Sequence, residues 1–586
     1  MSAEIIIVLL VILFLLVSLY REWLWPPVIF FISVVVLTLS GIITPQEALG
    51  GFANDQVAVI VILLILSEII RHSSLVDKMF DAIFSGANSV NSFLWRMMGY
   101  VSISSAFFNN TPLVAMMMPY VHSWSNKNGI SPSRLLIPLS YAAILGGCMT
   151  LVGTSTNLIV NGMAIEAGLE GLNIFDFIYV GAPMLFVGFL YLLFFGKKLL
   201  PDTKDMVEDF VQSSREYLIE AKVNSDSPLI NKSIMEAKLR HLKGLFLVEI
   251  VRGDKLITPV SPHEVLQAGD GLIFTGVTSA ISDLEKPAMG LSLPKPTEAK
   301  DTGMNIIELV ISHNSRLIGS KIQDSDFRGK YDGSILAVHR NRENLSGKIG
   351  EIEIRAGDVL LALIGPDFYK RVAEVQAFYV ISKEQETTDI KPWKLAIMIG
   401  GIVGAVVLQA IGVFPLFYSL FSLLGIVLVM DMIPFTIIRK GFDFNLVILL
   451  AFGLAFGKAM SNSGAATFLA EGILVLGEPL GFAGLIAGIF LITNLLSSYI
   501  TNKAAVAILF PISIKIAATM GFDIQPFILV VCYGAAASFI TPIGYQTNLM
   551  VYGPGGYTFK DFFRVGLPLT ILYMIVCVVI LTYMYK

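Results

Sequence analysis

The chain has 586 residues, of which 55% are hydrophobic and 15% charged, with a formal net charge of −4 and a mean hydropathy of +0.73. A soluble domain carries about 25% charged residues, so this composition excludes an ordinary soluble protein and points to a polytopic membrane protein. The three cysteines, Cys148, Cys532 and Cys577, lie in apolar runs and supply neither metal-ligand spacing nor a disulfide framework.

The first apolar run, residues 4–20, lacks a basic leader and a small-residue cleavage site, so a retained span is expected rather than a signal peptide. Trp23, Trp25 and the Pro26-Pro27 pair mark an interfacial break, and spans follow at residues 28–43 and 55–70. Residues 93–122 are interrupted by Asn109-Asn110-Thr111, and the apolar pieces on either side fall short of the roughly 20 residues of a full crossing. A re-entrant hairpin with its tip at that polar patch fits, with Pro112 in the first turn of its second helix. Residues 135–164 are too many for one plain span and break at Gly153-Thr154-Ser155-Thr156-Asn157. Residues 177–195 form the fifth span, ended by Lys197 and Lys198.

From Pro201 to Pro392 the sequence turns charged and alternating, with two similar units. The first, 205–290, carries an early strand at Leu218, Ala221 and Val223, then Ala268-Gly269-Asp270 and an apolar strand over 271–275. The second, 300–385, repeats this with Ile307, Leu309 and Ile311, then Ala356-Gly357-Asp358 and a strand over 359–363. Pro294 and Pro296 mark a linker over 291–302. No Gly-x-Gly-x-x-Gly follows a strand, so no Rossmann cofactor site is indicated. Glu216, Arg240, His241 and Arg252 either line a ligand groove or are scattered surface charge.

The membrane part resumes with spans at 394–411, 415–432 and 444–460, a second hairpin at 482–516, a helix at 527–539 broken over 541–548, and a last span at 565–585. Gly400 and Gly404 are spaced to admit a close helix, a spacing common by chance. The two membrane blocks, 1–200 and 392–586, align throughout. Gly51 matches Gly441, and Asn110 matches Asn502, each nine residues before a proline. Thr150, Gly153, Thr156 and Asn157 match Thr541, Gly544, Thr547 and Asn548, while Gly181 and Pro183 match Gly566 and Pro568. Five spans plus a hairpin per half, an odd number of crossings, invert the second half relative to the first. With the soluble region in the cytosol, Arg21, Lys127, Arg134, Arg439 and Lys440 fall inside, whereas loops 44–56 and 166–176, which lack Lys and Arg, fall outside.

Four polar interruptions in two matched pairs at membrane depth are the pattern of an ion or solute site. A helix stopping in mid-membrane exposes unpaired N–H and C=O groups. Its N-terminal end favours anions, while free carbonyls with Ser, Thr and Asn oxygens suit a small cation such as sodium. Asn110 and Asn502, each with a carbonyl and an amide, are able to touch both. One intramembrane Asn is most often a helix-packing hydrogen bond; four at matched positions beside Gly and Pro breaks point to a site. The candidate residues are Ser105, Asn109, Asn110, Thr111, Gly153, Thr154, Ser155, Thr156 and Asn157 in the first half, and Ser497, Thr501, Asn502, Lys503, Thr541, Gly544, Thr547 and Asn548 in the second. Neither tip nor break holds an Asp or Glu, which counts against a proton antiporter built on an intramembrane carboxylate. Lys503 is the odd residue: a charge near mid-membrane costs at least about 2.5–3.5 kcal/mol unless paired or hydrated.

With these residues in view, the chain resembles the divalent anion/sodium symporter family of the ion transporter superfamily, across both membrane blocks. That family's Ser-Asn-Thr tips appear here as Asn109-Asn110-Thr111 and Thr501-Asn502-Lys503, with only the central Asn kept in both. Its Gly-Thr-Pro-Pro-Asn segment appears as Gly153–Asn157 and, more loosely, Gly544–Asn548. The soluble units resemble tandem TrkA-C domains of potassium-uptake proteins, a combination similar to the sulfate-transporter-like branch. The resemblance implies an inner-membrane homodimer with a mobile domain that carries sodium and a small anion, sulfate or a di- or tricarboxylate, by an elevator movement. It also implies no enzyme activity, no cofactor beyond coupling sodium, and a small ligand such as a nucleotide on the soluble units. A cation/proton antiporter of the same superfamily and a non-transporting ligand sensor stand as alternatives.

Overall fold

The computed structural model describes residues 2–586 apart from 22, 72–83, 85–88, 203–217, 240–244, 254, 258–259, 277–289, 293–305, 313–314, 341–342, 345–348, 366, 373–377, 381–389, 433–443, 478 and 480. The chain forms two compact units. One comprises Met1–Trp124, Ser133–Pro201 and Glu384–Lys586; the other comprises Ser125–Pro132 and Asp202–Lys383.

The first unit is helical. Its opening half holds α1 (Ala3–Tyr20), α2 (Pro26–Leu39), α3 (Pro45–Gly50), α4 (Asp55–Arg71), α5 (Val90–Ser105), α6 (Asn110–Lys127), α7 (Leu136–Gly147), α8 (Ser155–Glu166) and α9 (Ile178–Leu199). Its closing half holds α10 (Pro392–Ala410), α11 (Leu416–Val429), α12 (Phe444–Asn462), α13 (Ala465–Gly477), α14 (Gly481–Tyr499), α15 (Asn502–Met520), α16 (Gln525–Ala536), α17 (Gln546–Tyr552) and α18 (Phe559–Tyr585). Local chemistry sets several starts. The Ser2 hydroxyl accepts from the Ile5 N–H at α1, Thr44 and Glu47 form a capping box at α3, and prolines occupy the first turns of α2, α3, α10 and α16. Among the described residues, eight helices are long and apolar enough to cross a membrane.

Burial divides these helices into two kinds. Every residue of α7 is buried, as are Pro526–Ala536 of α16 and most of α8 and α15. By contrast, α1, α2, α9, α11 and α18 turn Leu10, Leu39, Phe194, Val429 and Tyr583 outward. A helix apolar all round is enclosed by protein, and one with an outward apolar face meets lipid. The elements that carry the polar breaks are thus wrapped by the others.

Three expectations change. The span expected over 28–43 stops at Leu39, because the chain turns at Gly41, whose φ is +76°. Helix α13 lies between the span at 444–460 and the second hairpin, where none was anticipated; it is apolar but, with 13 residues, too short to read as a crossing. The arms of the second hairpin are full-length at 19 residues each, so its hairpin character rests on the two-residue turn at Ile500 and Thr501. A side chain added at Gly400 or Gly404 meets nothing within 4 Å, so that pair admits no close neighbour within the chain.

The second unit holds two antiparallel five-stranded sheets of parallel design. In the first, β1 (Leu218–Val223), β2 (Leu245–Arg252), β3 (Lys255–Ile257), β4 (Gly271–Gly276) and β5 (Leu291–Ser292) run in the order β3-β2-β4-β1-β5. In the second, β6 (Ile306–Ile311), β7 (Gly333–Arg340), β8 (Glu343–Asn344), β9 (Val359–Ile364) and β10 (Phe378–Val380) run β10-β6-β9-β7-β8. The linker expected over 291–302 therefore begins as an edge strand: Leu291 pairs with Val223. Each sheet has a register shift in the same place, at Leu247/Glu249 and at Ile335/Ala337.

One ion pair is repeated. Arg252 grips Asp270 through two nitrogens at 2.9 Å, and Arg340 grips Asp358 at 2.7 and 2.6 Å. Each aspartate also accepts a backbone N–H of its own turn, from Gln267 or Arg355, at 2.8 Å. Both Ala-Gly-Asp segments are thereby tied to the end of the second strand. Arg252, offered above as a groove residue, is engaged in this lock and in a 3.0 Å pair with Glu264; Glu216, Arg240 and His241 lie outside the described residues. Glu249 faces the same side as Ile273, is 1% exposed, and its Oε2 has no hydrogen-bond partner among the described residues. Burial pushes its carboxyl above the usual range.

Arg340→Ala leaves the Asp358 carboxylate, 1% exposed, without its counter-charge. We expect a loss of about 3 kcal/mol in the second sheet, read as faster proteolysis within 306–380 in the full chain. The Arg340→Ala/Asp358→Asn double variant, which removes both charges, is expected to recover much of that loss; equal sensitivity of the two variants refutes the lock.

Candidate functional site

At the first tip, α5 ends at Ser105 and α6 begins at Asn110, which is 2% exposed. The Ser105 hydroxyl contacts Asn110 Oδ1 and lies 2.6 Å from the Ala143 carbonyl of α7. Asn109 Oδ1 accepts from the Thr111 N–H at 3.2 Å, a local turn that starts the helix. The chain between α7 and α8 is shaped by three bonds. The Thr150 hydroxyl donates to the Ala106 carbonyl and accepts from the Gly153 N–H at 3.1 Å, and the Asn157 amide donates to the Thr150 carbonyl at 3.0 Å.

The second tip repeats these bonds in the other half. The Ser497 hydroxyl lies 2.8 Å from Asn502 Oδ1 and 2.6 Å from the Ala535 carbonyl. Thr541 donates to the Ser498 carbonyl at 2.6 Å and accepts from the Gly544 N–H at 3.1 Å. The Asn548 amide donates to the Thr541 carbonyl at 3.2 Å. One oxygen is added here: Ser538 Oγ lies 2.7 Å from Ser497 Oγ and 3.3 Å from Asn502 Oδ1. Thr501 caps α15 by accepting from the Ala504 N–H, and Lys503 is the second residue of that helix, half-buried.

Glycines permit these approaches. A Cβ on Gly153 would stand 2.9 Å from the Ser105 carbonyl, and one on Gly544 would stand 3.2 Å from the Ser497 carbonyl. Gly181 and Gly566, also matched, press against the carbonyls of Cys148 and Phe539 at the ends of the broken helices.

In each tip a hydroxyl, an amide oxygen and a main-chain carbonyl converge with fewer protons than oxygen contacts. Ser105 has one proton for two close oxygens; Ser497 and Ser538 have two for five contacts. Such a surplus of lone pairs is what a small hard cation satisfies. Asn157 and Asn548, by contrast, spend their amides on the breaks. Gly153 and Gly544 supply clearance, and Thr156 and Thr547 are buried beside them. Asn109 and Ser155 line a cavity of about 20 Å³ against Ile60, Leu63 and Leu64 of α4, room for about one water.

Sequence reasoning missed the residues that join the halves. The Tyr545 hydroxyl accepts from Asn110 Nδ2 at 2.8 Å and lies 3.2 Å from Thr154 Oγ1, and the Thr111 hydroxyl donates to Gln546 Oε1 at 2.9 Å. The Ser140 hydroxyl lies 2.8 Å from Thr547 Oγ1 and 2.6 Å from Asn548 Oδ1. Tyr141 donates to the Phe539 carbonyl at 2.6 Å, and its counterpart Tyr533 donates to the Phe177 carbonyl at 2.9 Å. The available signal was positional: Tyr545 and Gln546 occupy the places of Thr154 and Ser155 in the second break.

Gly147→Ala tests the geometry of the first tip, since the added Cβ would stand 2.8 Å from Asn110 Nδ2 and 2.9 Å from its Oδ1. Overpacking of this kind costs about 1–3 kcal/mol, so a lowered melting temperature in detergent is expected, while Gly400→Ala stays at the wild-type value. Equal melting of the two variants would show that Asn110 is not held as described.

The chain matches the citrate transporter family over residues 6–421 and 413–586. A Chlamydomonas reinhardtii protein whose name marks it as a candidate sulfur deprivation response regulator is 34% identical over 92% of this chain and 94% of its own. An uncharacterized transporter of Synechocystis sp. is 31% identical over 96% of this chain and 94% of its own. Sodium/sulfate cotransporter 1 of Chlamydomonas reinhardtii is 24% identical over 96% of this chain and 88% of its own. With its apolar helices and its two polar tips, the chain is a multi-pass membrane transporter rather than an enzyme, and it belongs to the citrate transporter family.

Proposed function

We propose that the protein is a sodium-coupled carrier of a small anion, sulfate or a di- or tricarboxylate, working as a homodimer through an elevator movement. The observation that carries this reading is the pair of oxygen clusters at Ser105, Asn110 and Ala143 and at Ser497, Asn502, Ala535 and Ser538, which are rich in neutral acceptors and contain no carboxylate. A cation held by neutral oxygens keeps its positive charge, and that charge draws an anion to the adjacent helix starts at α6, α8 and α15. A proton carrier built on an intramembrane carboxylate would need an Asp or Glu there instead. The matched bonds around both tips support two inverted repeats of five spans plus a hairpin. The names of the sodium/sulfate cotransporters among the relatives support sulfate as the first anion to try.

Asn110→Ala and Asn502→Ala are each expected to abolish sodium-driven uptake of labelled sulfate or citrate in proteoliposomes while the purified protein elutes as the wild type does. Sodium–proton exchange without any anion requirement would turn the reading to an antiporter, and uptake unchanged in both variants would remove the clusters from the pathway.

In the same reading the second unit is a pair of TrkA-C-like regulatory domains on the cytosolic side of the inner membrane, where a small ligand such as a nucleotide adjusts the rate. The native cysteines are all buried, so a cysteine at the exposed Lys255 gives a clean label. It should resist an impermeant thiol reagent in right-side-out cells and react once the cells are opened. Rapid labelling of intact cells reverses the topology.

A further inference from the structure

Asn110 is polarised from both ends. Its Oδ1 faces the Ser105 hydroxyl in the first oxygen cluster, and its Nδ2 donates to the Tyr545 hydroxyl at 2.8 Å, across 435 residues of sequence. The phenol in turn has one proton to give. The other oxygen within hydrogen-bond reach among the described residues, Thr154 Oγ1, is 3.2 Å away, longer than the usual 2.7–2.8 Å or so of an O–H···O bond. That bond is long, so the phenol proton is available to a better-placed acceptor. Next to it the Thr111 hydroxyl donates to Gln546 Oε1 at 2.9 Å, so two consecutive residues of the first tip meet two consecutive residues of the second break. Among the described residues no hydrogen bond runs the other way, from Thr154 or Ser155 to Asn502.

We propose that Tyr545 is an anion-binding residue that also carries part of the sodium effect: its hydroxyl donates to the oxyanion, and sodium on Asn110 Oδ1 strengthens that donation through the amide, beside the direct attraction of its charge. This rests on the reading of the first cluster as a sodium site. The physical chain is short. A cation on the amide oxygen draws electron density from the amide nitrogen and makes its N–H a better donor. A phenol that accepts a stronger hydrogen bond gives a stronger one, since hydrogen bonds in series polarise one another at low dielectric. The anion therefore binds more tightly when sodium is present, and by reciprocity sodium binds more tightly when the anion is present. The route needs a hydroxyl long enough to span from the second break to the first tip. Tyrosine at 545 provides it, whereas the short Thr154 in the matching place of the first half does not reach Asn502.

The test is Tyr545→Phe, which keeps the ring and removes only the hydroxyl. Binding of labelled sulfate, or citrate if sulfate fails, is measured on the full-length protein at low and at saturating sodium. The wild type is expected to bind more tightly at saturating sodium. In Tyr545→Phe the affinity at saturating sodium is expected to fall about tenfold or more, the loss of one hydrogen bond to a charged group, and to fall measurably less at low sodium, where the bond is not strengthened. Affinity unchanged at both sodium levels overturns the proposal. So does an equal loss at both, because a phenol that only props the two halves together would weaken anion binding regardless of sodium. Tyr545→His, which retains a ring and an N–H donor, is expected to keep part of the sodium effect, and it carries the test if the Phe variant does not fold. A wild type whose anion binding ignores sodium sinks the sodium-coupled reading itself, a different result from a wild type that responds and a variant that matches it.

Discussion

A helix that ends inside a bilayer has no water to receive its last carbonyls or its first N–H groups, and the architecture around both tips follows from that constraint. The same solution is used twice. A serine five residues before an asparagine brings a hydroxyl, an amide and a carbonyl of a neighbouring broken helix to one point. A threonine then closes the break by bonding the other arm of the hairpin. Once helices α7 and α16 must stop where they do, small residues at 147, 153, 181, 544 and 566 are needed to bring backbone against backbone. The lipid-facing helices have only to keep that polar interior covered. In the proposed reading, stability and ion recognition draw on the same oxygens, because the carbonyls that take the serine hydroxyls also face the tips.

The soluble unit solves a different problem with the same economy. Its sheets are short, and each is fastened by a two-pronged arginine on a buried aspartate in addition to its apolar core. The repeat of the register shift and of the ion pair in both sheets argues that the two arose from one pattern. The sheets nevertheless differ at the place where the first has Glu249 and the second Ala337. Among the described residues, a buried carboxyl with an unsatisfied oxygen is a cost the second sheet does not carry.

Much of this was legible in the sequence, and the reasons are specific. Asn110 and Asn502 stood out because polar residues interrupt long apolar runs, and Gly153, Thr541, Gly544 and Asn548 because the runs break a second time at a matched spacing. The strands of the soluble unit showed in their alternation and in the repeated Ala-Gly-Asp. What stayed hidden has equally plain causes. Helix α13 is apolar but far shorter than a crossing, so a search for full-length spans passes over it. Arg252 looked like any surface charge because its partner lies 18 residues away. Ser538 and Tyr545 gave no signal because each departs from its counterpart in the first half, and a search for matched pairs passes over the positions where the halves differ. Those departures make the two tips unequal, with an added serine at one and a borrowed phenol at the other.

The exchange of tyrosines has a consequence for the chain as a whole. Tyr141 and Tyr533 are both buried, and each finds its acceptor only in the opposite half, at Phe539 and Phe177. A half expressed alone would therefore retain a buried phenol with nothing to bond, worth about 1–3 kcal/mol in an apolar interior, although the Phe177 carbonyl would keep the Gly181 N–H at 2.8 Å. The two halves thus depend on each other for burial: neither closes its own core without an acceptor that the other supplies.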